Sequence, residues 1–426
     1  MTTRIRIGAA VLLALALSAS ACSTKAKDST SSTGGGSAAA GGLKTGPGVD
    51  AKTISLGVLT DESGVFAALG KTVTEGNQLG VDEINAAGGV CGRQIKLVIQ
   101  DHGYDVQKAV SLYAQVAPQV AGMLQLLGSP MTTALLGNLA TDHMLGATAT
   151  WASTLLRSKD IQISGATYDI EQVNGLSYLF DKGLIKKGDK VGHIYNEGAY
   201  GANGLAGSKY AASKLGFTIV EQQIKATETD MTAAVSKFKA AGVSAIALTV
   251  GPKATASAVG VAAATGLNVP FLGNNPTFSS QLLKSAAGPA LIKNFYLSAS
   301  FSPLSSDKPA EVKLLAAYKK KYGSEIPNAG VSYGYGVAKI YEQTLKAACE
   351  KKDLSREGIE AAFRTLTNVD TGGVIAPLDY SKVGEIPSRQ TNILRPNMAT
   401  LPIDGLKLEK DLFESAIAKD YVAPKG

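Results

Sequence analysis

The residues best suited to ligand chemistry follow the ends of predicted strands. One such turn, Gly128-Ser129-Pro130-Met131-Thr132, opens a predicted helix with Ser129 as its expected N-cap. A helix N-terminus carries unpaired N–H groups and partial positive charge. Hydroxyls at Ser129 and Thr132 would therefore suit this turn to a carboxylate. Plain helix capping explains the same residues, and the turn alone does not decide between the two.

Other strand ends carry aromatic, hydroxyl and amide side chains. Trp151 is the only tryptophan in the chain, and it is expected either to stack on a ligand or to pack in the core. Tyr200 opens another predicted helix and offers a hydroxyl or an aromatic wall. The remaining candidate ligand contacts are Ser63, Phe66, Thr150, Asn275 and Tyr333.

No pattern of residues predicts catalysis, a cofactor or a metal. The sequence has no Walker A loop, no strand-linked GxGxxG and no GxSxG elbow. Its three histidines, His102, His143 and His193, lack metal-ligand spacing. The formal charge of +7 is mild for 426 residues, and the basic run Lys319–Lys321 lies on an amphipathic helix. Nucleic acid is therefore not an expected partner.

The elements that must position these residues alternate between strand and helix. Thr53–Leu59 predicts a strand, Ala67–Ala87 a helix and Ile95–Ile99 the next strand. The alternation continues and then restarts near residue 170, which predicts an α/β fold of two doubly wound, Rossmann-like lobes. Further helices are predicted at Ala310–Tyr322, Tyr335–Glu350 and Ser355–Leu366, and the tail from Arg389 has only weak apolar periodicity.

The N-terminus predicts export. Arg4 and Arg6 precede the uncharged run Ile7–Leu17, which is too short to span a bilayer. Ala19-Ser20-Ala21-Cys22 is similar to the bacterial lipoprotein box, whose cysteine is acylated, although Ala19 stands where Leu is commonest. The alternative is an ordinary secretory signal with an incidental cysteine.

Residues 1–21 are thus expected to form a signal peptide and residues 22–50 a flexible tether rich in Ser, Thr, Gly and Ala. The protein is expected outside the cytoplasm, held to the membrane by a lipid on Cys22. Two cysteines remain, and disulfides persist in that compartment. A Cys91–Cys349 disulfide is therefore one hypothesis, and two buried thiols are the other.

Five segments together resemble the type I periplasmic binding proteins of the leucine/isoleucine/valine-binding family, the receptors of ABC importers. The resemblance runs from about Thr53 onward, and the segment that ends on Asp101 is the most specific. The five read ISLGVLTDESGVFAALGK, GVDEINAAGGVCGRQIKLVIQD, GSPMTTALL, YNEGAYGANGLAG and VPFLGNN.

The resemblance implies a two-lobed fold with a three-segment hinge, a small-molecule ligand in the cleft, and a permease and ATPase as partners. It implies that Ser129 and Thr132 hold a carboxylate and that Tyr200 contacts the ligand from the second lobe. Thr150, Trp151 and Tyr333 would lie near further contacts. The expected lobes are 51–170 with 302–382, and 171–301 with 383–426.

One departure leaves the ligand class open. Amino-acid-binding relatives commonly place a Glu, which pairs with the ligand ammonium, where this chain has Asn274-Asn275. A buried ammonium without an anionic partner is costly. Either Asp61, Glu62 or Glu197 substitutes, or the ligand is an amide or an aromatic or aliphatic carboxylate. A branched-chain or related amino acid remains the leading expectation.

Two other functional classes compete with a transport receptor. One is a ligand-sensing lobe that serves a signalling partner, although the chain has no recognisable signalling domain. The other is an exported α/β enzyme, which would need a nucleophile–base pair or a metal cluster that the sequence does not show.

Overall fold

The computed structural model describes residues 38–39, 42–323 and 325–424. Within these ranges the strands are β1 (Ala38–Ala39), β2 (Leu43–Thr45), β3 (Thr53–Thr60), β4 (Gln94–Asp101), β5 (Gly122–Leu127), β6 (Gly146–Ala149), β7 (Ile161–Gln162), β8 (Lys190–Asn196), β9 (Thr218–Ile224), β10 (Ala245–Thr249), β11 (Phe271–Gly273), β12 (Phe295–Ala299), β13 (Asp353–Leu354), β14 (Thr391–Pro396) and β15 (Leu406–Phe413). The α-helices are α1 (Ala67–Ala86), α2 (Val106–Val116), α3 (Ser129–Thr141), α4 (Tyr168–Asp181), α5 (Ala199–Leu215), α6 (Thr232–Ala241), α7 (Pro252–Ala264), α8 (Gly288–Asn294), α9 (Pro309–Tyr322), α10 (Gly330–Glu350) and α11 (Arg356–Phe363). The expected signal peptide, Cys22 and most of the expected tether lie outside the described residues.

The first sheet is parallel and has the strand order β4-β3-β5-β6-β7. Every residue of β5 is buried, as expected of a parallel strand covered on both faces. β3 pairs with β4 along its whole length, from Thr53↔Gln94 to Thr60↔Asp101. The loops that follow these two strands therefore leave the sheet side by side, at the edge where α/β sheets bind ligands.

The second sheet has the order β15-β14-β12-β11-β10-β8-β9. Strands β8 to β12 are parallel, whereas β14 is antiparallel to β12 and β15 is antiparallel to β14. The tail thus adds two strands that its weak periodicity did not predict. β15 is an edge strand with largely exposed side chains, so it lacks the apolar pattern by which a buried strand is recognised.

Three backbone segments connect the lobes built on these sheets, and hydrogen bonds join them to one another. Ala166 N–H donates to Ser300 Oγ at 2.9 Å. Ser302 N–H donates to Val374 O at 2.8 Å, and Ala376 N–H donates to Ser300 O at 2.9 Å. The three connecting segments are therefore hydrogen-bonded to one another and are not independent linkers.

Helix α10 returns to the first lobe, where it packs closely along α1. A Cβ on Gly76 would lie 2.2 Å from Val331 O, and a Cβ on Gly334 would lie 2.0 Å from Val73 O. Both distances are too short for real atoms, so the two backbones approach this closely because each helix places a glycine at the contact.

The described end of the expected tether is not flexible chain. β1 and β2 are antiparallel, and β2 runs parallel to β13. Lys44 N–H donates to Lys352 O at 2.9 Å, and Lys44 Nζ lies 3.3 Å from Asp353 Oδ2. The structure differs here from the predicted tether over 22–50 because the segment from Leu43 to Thr45 finds partners about 300 residues later in the chain, as the 309-residue separation of Lys44 and Asp353 shows.

Cys91 and Cys349 are joined by a disulfide with a Cα–Cα distance of 6.1 Å. Cys91 follows α1, and Cys349 lies in the last turn of α10. The disulfide therefore links the C-terminal ends of α1 and α10, the two helices that pack together at Gly76 and Gly334. In the part of the chain that the structure describes, no helix is both long enough and apolar enough to cross a lipid bilayer.

Candidate ligand-binding site

A cavity lies between the two lobes and is lined by nineteen residues from both. Its wall is mostly apolar, and the polar residues in it, apart from tyrosines, are Ser129 and Asn275. Leu127 and Ala149 are the last residues of β5 and β6, so the cavity begins where these strands end. The aromatic lining residues are Phe66, Tyr104, Trp151, Tyr168, Tyr200, Phe278, Phe301 and Tyr333.

The start of α3 supplies the polar end of the cavity. Gly128, with φ of 95°, is the N-cap and Ser129 is the first helical residue, so the prediction of Ser129 as N-cap was wrong by one position. This φ is one that residues with a Cβ rarely adopt, which explains the glycine at position 128. The amides of Ser129 and Met131 have no intrahelical partner, because they lie in the first turn.

Two hydroxyls flank these amides. Ser129 Oγ and Thr150 Oγ1 are hydrogen-bonded to each other, and both residues are buried. The Tyr168 hydroxyl donates to Thr150 Oγ1 at 3.4 Å. Ser129 lines the cavity directly, and Thr150 supports it from behind. The arrangement offers an anion two backbone amides and a hydroxyl at a positive helix end.

Aromatic rings from both lobes form the apolar walls. The ring centroids of Trp151 and Tyr333 are 4.5 Å apart, and those of Tyr168 and Tyr200 are 4.6 Å apart. Phe66 packs on Tyr104 with a centroid distance of 4.9 Å. Such pairs stabilise the walls beyond simple burial.

The polar atoms of Trp151, Tyr333 and Tyr200 are bonded to the protein. Trp151 Nε1 donates to Ser164 O at 2.9 Å, and Tyr333 Oη donates to Thr148 O at 2.5 Å. Tyr200 Oη donates to Asn274 Oδ1 at 2.9 Å. Burial raises the pKa of Tyr200 well above its usual range, so the phenol stays neutral. The rings therefore present apolar faces to a ligand.

No side chain that lines the cavity carries a charge. Asp61 is buried elsewhere, where its Oδ1 accepts from Gly64 N–H at 2.5 Å and its Oδ2 accepts from Phe66 N–H at 2.9 Å. Glu62 and Glu197 are exposed. None of the three substitutes for the missing Glu of amino-acid-binding relatives.

The second lobe closes the cavity with the turn after β11. Asn275 lines the cavity, and its backbone N–H donates to Glu171 Oε2 at 3.0 Å. Glu171 is fully buried on α4, and burial raises its pKa well above the usual range of a carboxyl group. Glu171 does not itself line the cavity, so it offers a ligand ammonium no direct partner there.

The structure brings together six of the nine predicted ligand contacts and leaves three aside. Phe66, Ser129, Trp151, Tyr200, Asn275 and Tyr333 line the cavity. Ser63 is exposed and donates to Asp101 Oδ2 at 2.7 Å. Thr132 is buried one turn behind Ser129, where its hydroxyl donates to Gly128 O at 3.0 Å. Thr150 reaches the cavity only through the hydroxyl of Ser129.

Sequence reasoning missed Tyr104 and Tyr168. Tyr104 follows β4 with φ of 63°, and its N–H donates to Nδ1 of the buried His102 at 3.0 Å. The Asp-His-Gly-Tyr run after a strand was a usable signal for the first. Tyr168 begins α4 at the junction between the lobes, where only the three-dimensional path of the chain reveals a cavity residue.

A model of the family described as "Periplasmic binding protein" matches residues 53–398. Among curated proteins, Leu/Ile/Val-binding protein homolog 8 of Brucella abortus is 26% identical over 322 residues, covering 69% of this chain and 76% of the relative. Homolog 7 from the same species is 27% identical over 342 residues, covering 75% and 85%.

Solved structures agree on the fold. A fatty acid ABC transporter substrate-binding protein from Thermomonospora curvata is 44% identical, with a TM-score of 0.87 over 90% of this chain and 98% of that one. A branched-chain amino acid ABC transporter protein from Thermus thermophilus with bound valine is 19% identical, with a TM-score of 0.77 over 86% and 98%.

These comparisons confirm the predicted fold class and the predicted family. They also confirm that the chain is a binding protein rather than an enzyme, because the family whose model it matches consists of periplasmic binding proteins. Membership implies a solute-binding role outside the cytoplasm. The chain belongs to the periplasmic binding proteins, as a type I member of the leucine/isoleucine/valine-binding group.

Proposed function

We propose that this protein binds an apolar monocarboxylic acid of the fatty acid class and delivers it to the permease of an ABC importer. The observation that carries the proposal is a cavity walled by aromatic and aliphatic residues, with no charged side chain in its lining. Pockets with an apolar wall and few polar groups are typical of small-molecule sites.

The two ends of such a ligand fit different parts of the site. The carboxylate would accept from the amides at the start of α3 and from Ser129 Oγ, beside a positive helix end. The acyl chain would lie against rings such as Phe66, Trp151 and Tyr333. Each buried methylene contributes about 0.8 kcal/mol, so a chain of about ten gives a gross gain near 8 kcal/mol before the costs of association.

An α-amino acid fits the same site poorly. Its ammonium would enter a cavity whose lining has no carboxylate, because Asp61 is engaged elsewhere and Glu171 lies behind the wall. A buried ammonium without an anionic partner is strongly unfavourable. The 44% identical relative is described as a fatty acid binder, and that name supports the same choice of ligand.

Closure of the lobes would couple binding to transport. The cavity takes residues from both lobes, so a ligand that bridges Ser129 and Tyr200 favours the closed arrangement. The closed form would be what the permease recognises. A lipid on Cys22 would hold the protein beside that permease, and replacement of Cys22 by Ala should abolish incorporation of labelled palmitate and release the protein from the membrane.

The fluorescence of Trp151 gives a direct binding test, because this single tryptophan lines the cavity. Protein stripped of co-purified lipid should show a saturable fluorescence change with dodecanoic acid and none with leucine at millimolar concentration. Dodecylamine is the matched control of equal chain length. Tight binding of leucine, or equal binding of the amine and the acid, would contradict the proposal.

A further inference from the structure

The turn after β11 carries polar atoms that the fold leaves without partners. Nδ2 of Asn275 and Nδ2 of Asn274 are both buried and have no hydrogen-bond partner among the described residues. Asn275 lines the cavity, whereas Asn274 stands behind it and uses its Oδ1 to accept from Tyr200 Oη at 2.9 Å. A buried donor without an acceptor is unfavourable, so each such group requires an explanation.

Glu171 adds a third such atom to the same place. Its Oε2 accepts from Asn275 N–H at 3.0 Å, while Oε1 is buried and has no partner among the described residues. The unpaired atoms therefore cluster behind one wall of the cavity.

This cluster lies in the second lobe, apart from the carboxylate end. Ser129, the start of α3 and Thr150 belong to the first lobe, whereas Asn275 follows β11 of the second sheet. The wall also includes Trp151, Tyr200 and Tyr333, whose polar atoms are already bonded to the protein. Asn275 and Ser129 are thus polar groups in different lobes, on a wall that is otherwise largely aromatic and aliphatic.

We propose that the ligand carries a second oxygen-bearing group, and that Asn275 Nδ2 donates a hydrogen bond to it while Ser129 holds the carboxylate. The ligand class is a hydroxy or oxo fatty acid. An unsubstituted acyl chain would pack a methylene against Asn275 and leave its amide unpaired. This inference rests on the proposed function and narrows its substrate class.

The test compares dodecanoic acid with a series of its monohydroxy isomers by titration of Trp151 fluorescence. At least one isomer should bind the wild-type protein about two- to tenfold more tightly than dodecanoic acid, as one additional neutral hydrogen bond allows. In Asn275→Leu this preference should disappear, so that every hydroxy isomer binds that variant no more tightly than dodecanoic acid does. Asn268→Leu, at an exposed asparagine of the same lobe, is the matched control and should keep the preference.

The outcomes separate the two proposals. If dodecanoic acid binds but every hydroxy isomer binds no more tightly, the second polar subsite is refuted and the fatty acid function stands. If Asn275→Leu still binds a hydroxy isomer more tightly than dodecanoic acid, the second polar subsite is refuted as well. If neither the parent acid nor any isomer binds, both proposals fail. A cooperative thermal unfolding transition of Asn275→Leu, close to that of the wild-type protein, shows that the variant is folded.

Discussion

Replacement of Ser129 by Ala tests the polar end of the cavity most directly. The change removes one donor to the ligand carboxylate and leaves the helix amides in place. A hydrogen bond to a charged group contributes about 1.5–3 kcal/mol, so affinity for dodecanoic acid should fall about 10- to 150-fold. A neutral hydrogen bond contributes about 0.5–1.5 kcal/mol, so affinity for dodecanol should fall by no more than about tenfold.

Thr132→Ala is the matched control, because Thr132 lies in the same first turn and is equally buried. Its hydroxyl donates to Gly128 O at 3.0 Å and does not line the cavity. The variant should lose about 1 kcal/mol of stability and keep its affinity for the acid. Calorimetry at one pH on both variants with both ligands gives the four comparisons.

Two results would refute this reasoning. If Ser129→Ala weakens the acid and the alcohol equally, the serine does not act on a carboxylate. If Thr132→Ala weakens the acid as much as Ser129→Ala, the turn affects affinity through helix stability rather than through a direct contact. Either result would mean that the ligand carboxylate does not bind at the start of α3.

Three further variants or conditions give independent checks. Tyr200→Phe should keep acid affinity within about threefold but lower stability by about 1 kcal/mol, since the phenol bonds Asn274 rather than the cavity; a large affinity loss would contradict this. Alkylation and mass measurement of the native protein should find Cys91 and Cys349 unmodified, and reduction should lower the free energy of unfolding by up to about 5 kcal/mol, since the bond closes a loop of 258 residues. Burial raises the pKa of Asp404 from 3.8 to about 6, so its contribution to stability is most favourable below pH 3.8 and is lost as pH rises to about 6. Asp404→Asn should therefore raise the free energy of unfolding by about 2 kcal/mol at pH 7, because the gain from removing the two-unit pKa shift is partly offset by about one lost hydrogen bond. At pH 3.5 the substitution should give no gain. A gain that is independent of pH would exclude the titration of Asp404 as its cause.

Local pattern predicted the parts of the fold that are locally determined. The parallel strands are short apolar runs followed by amphipathic helices, and the fully buried β5 is a clear example. β15 was not predicted because it is an edge strand that buries little. β14 is buried, but its sequence Thr391–Pro396 mixes polar with apolar residues and so lacks a recognisable apolar run. β2 was assigned to the tether because its partner, β13, lies far away in sequence.

The candidate site, like the fold, was predictable only where a short stretch of sequence determines the local geometry. Turn chemistry identified Ser129 because a helix start after a strand has the same geometry in most α/β proteins. It could not separate Ser129 from Thr132, since one helical turn decides which hydroxyl faces the cavity. The sequence also did not reveal that the cavity wall is largely apolar, because Tyr104 and Tyr168 come from elements that are distant in sequence and meet only in the folded protein.

The close contact between α1 and α10 has a consequence for how the protein matures. α1 begins at Ala67, but the helix that covers its glycines begins at Gly330. The second sheet is likewise incomplete without β14 and β15, which lie near the end of the chain. A polypeptide that emerges from its N-terminus first can complete neither lobe until the last third has been released. We therefore expect it to cross the membrane without stable tertiary structure and to fold as a whole afterwards, with the disulfide formed late.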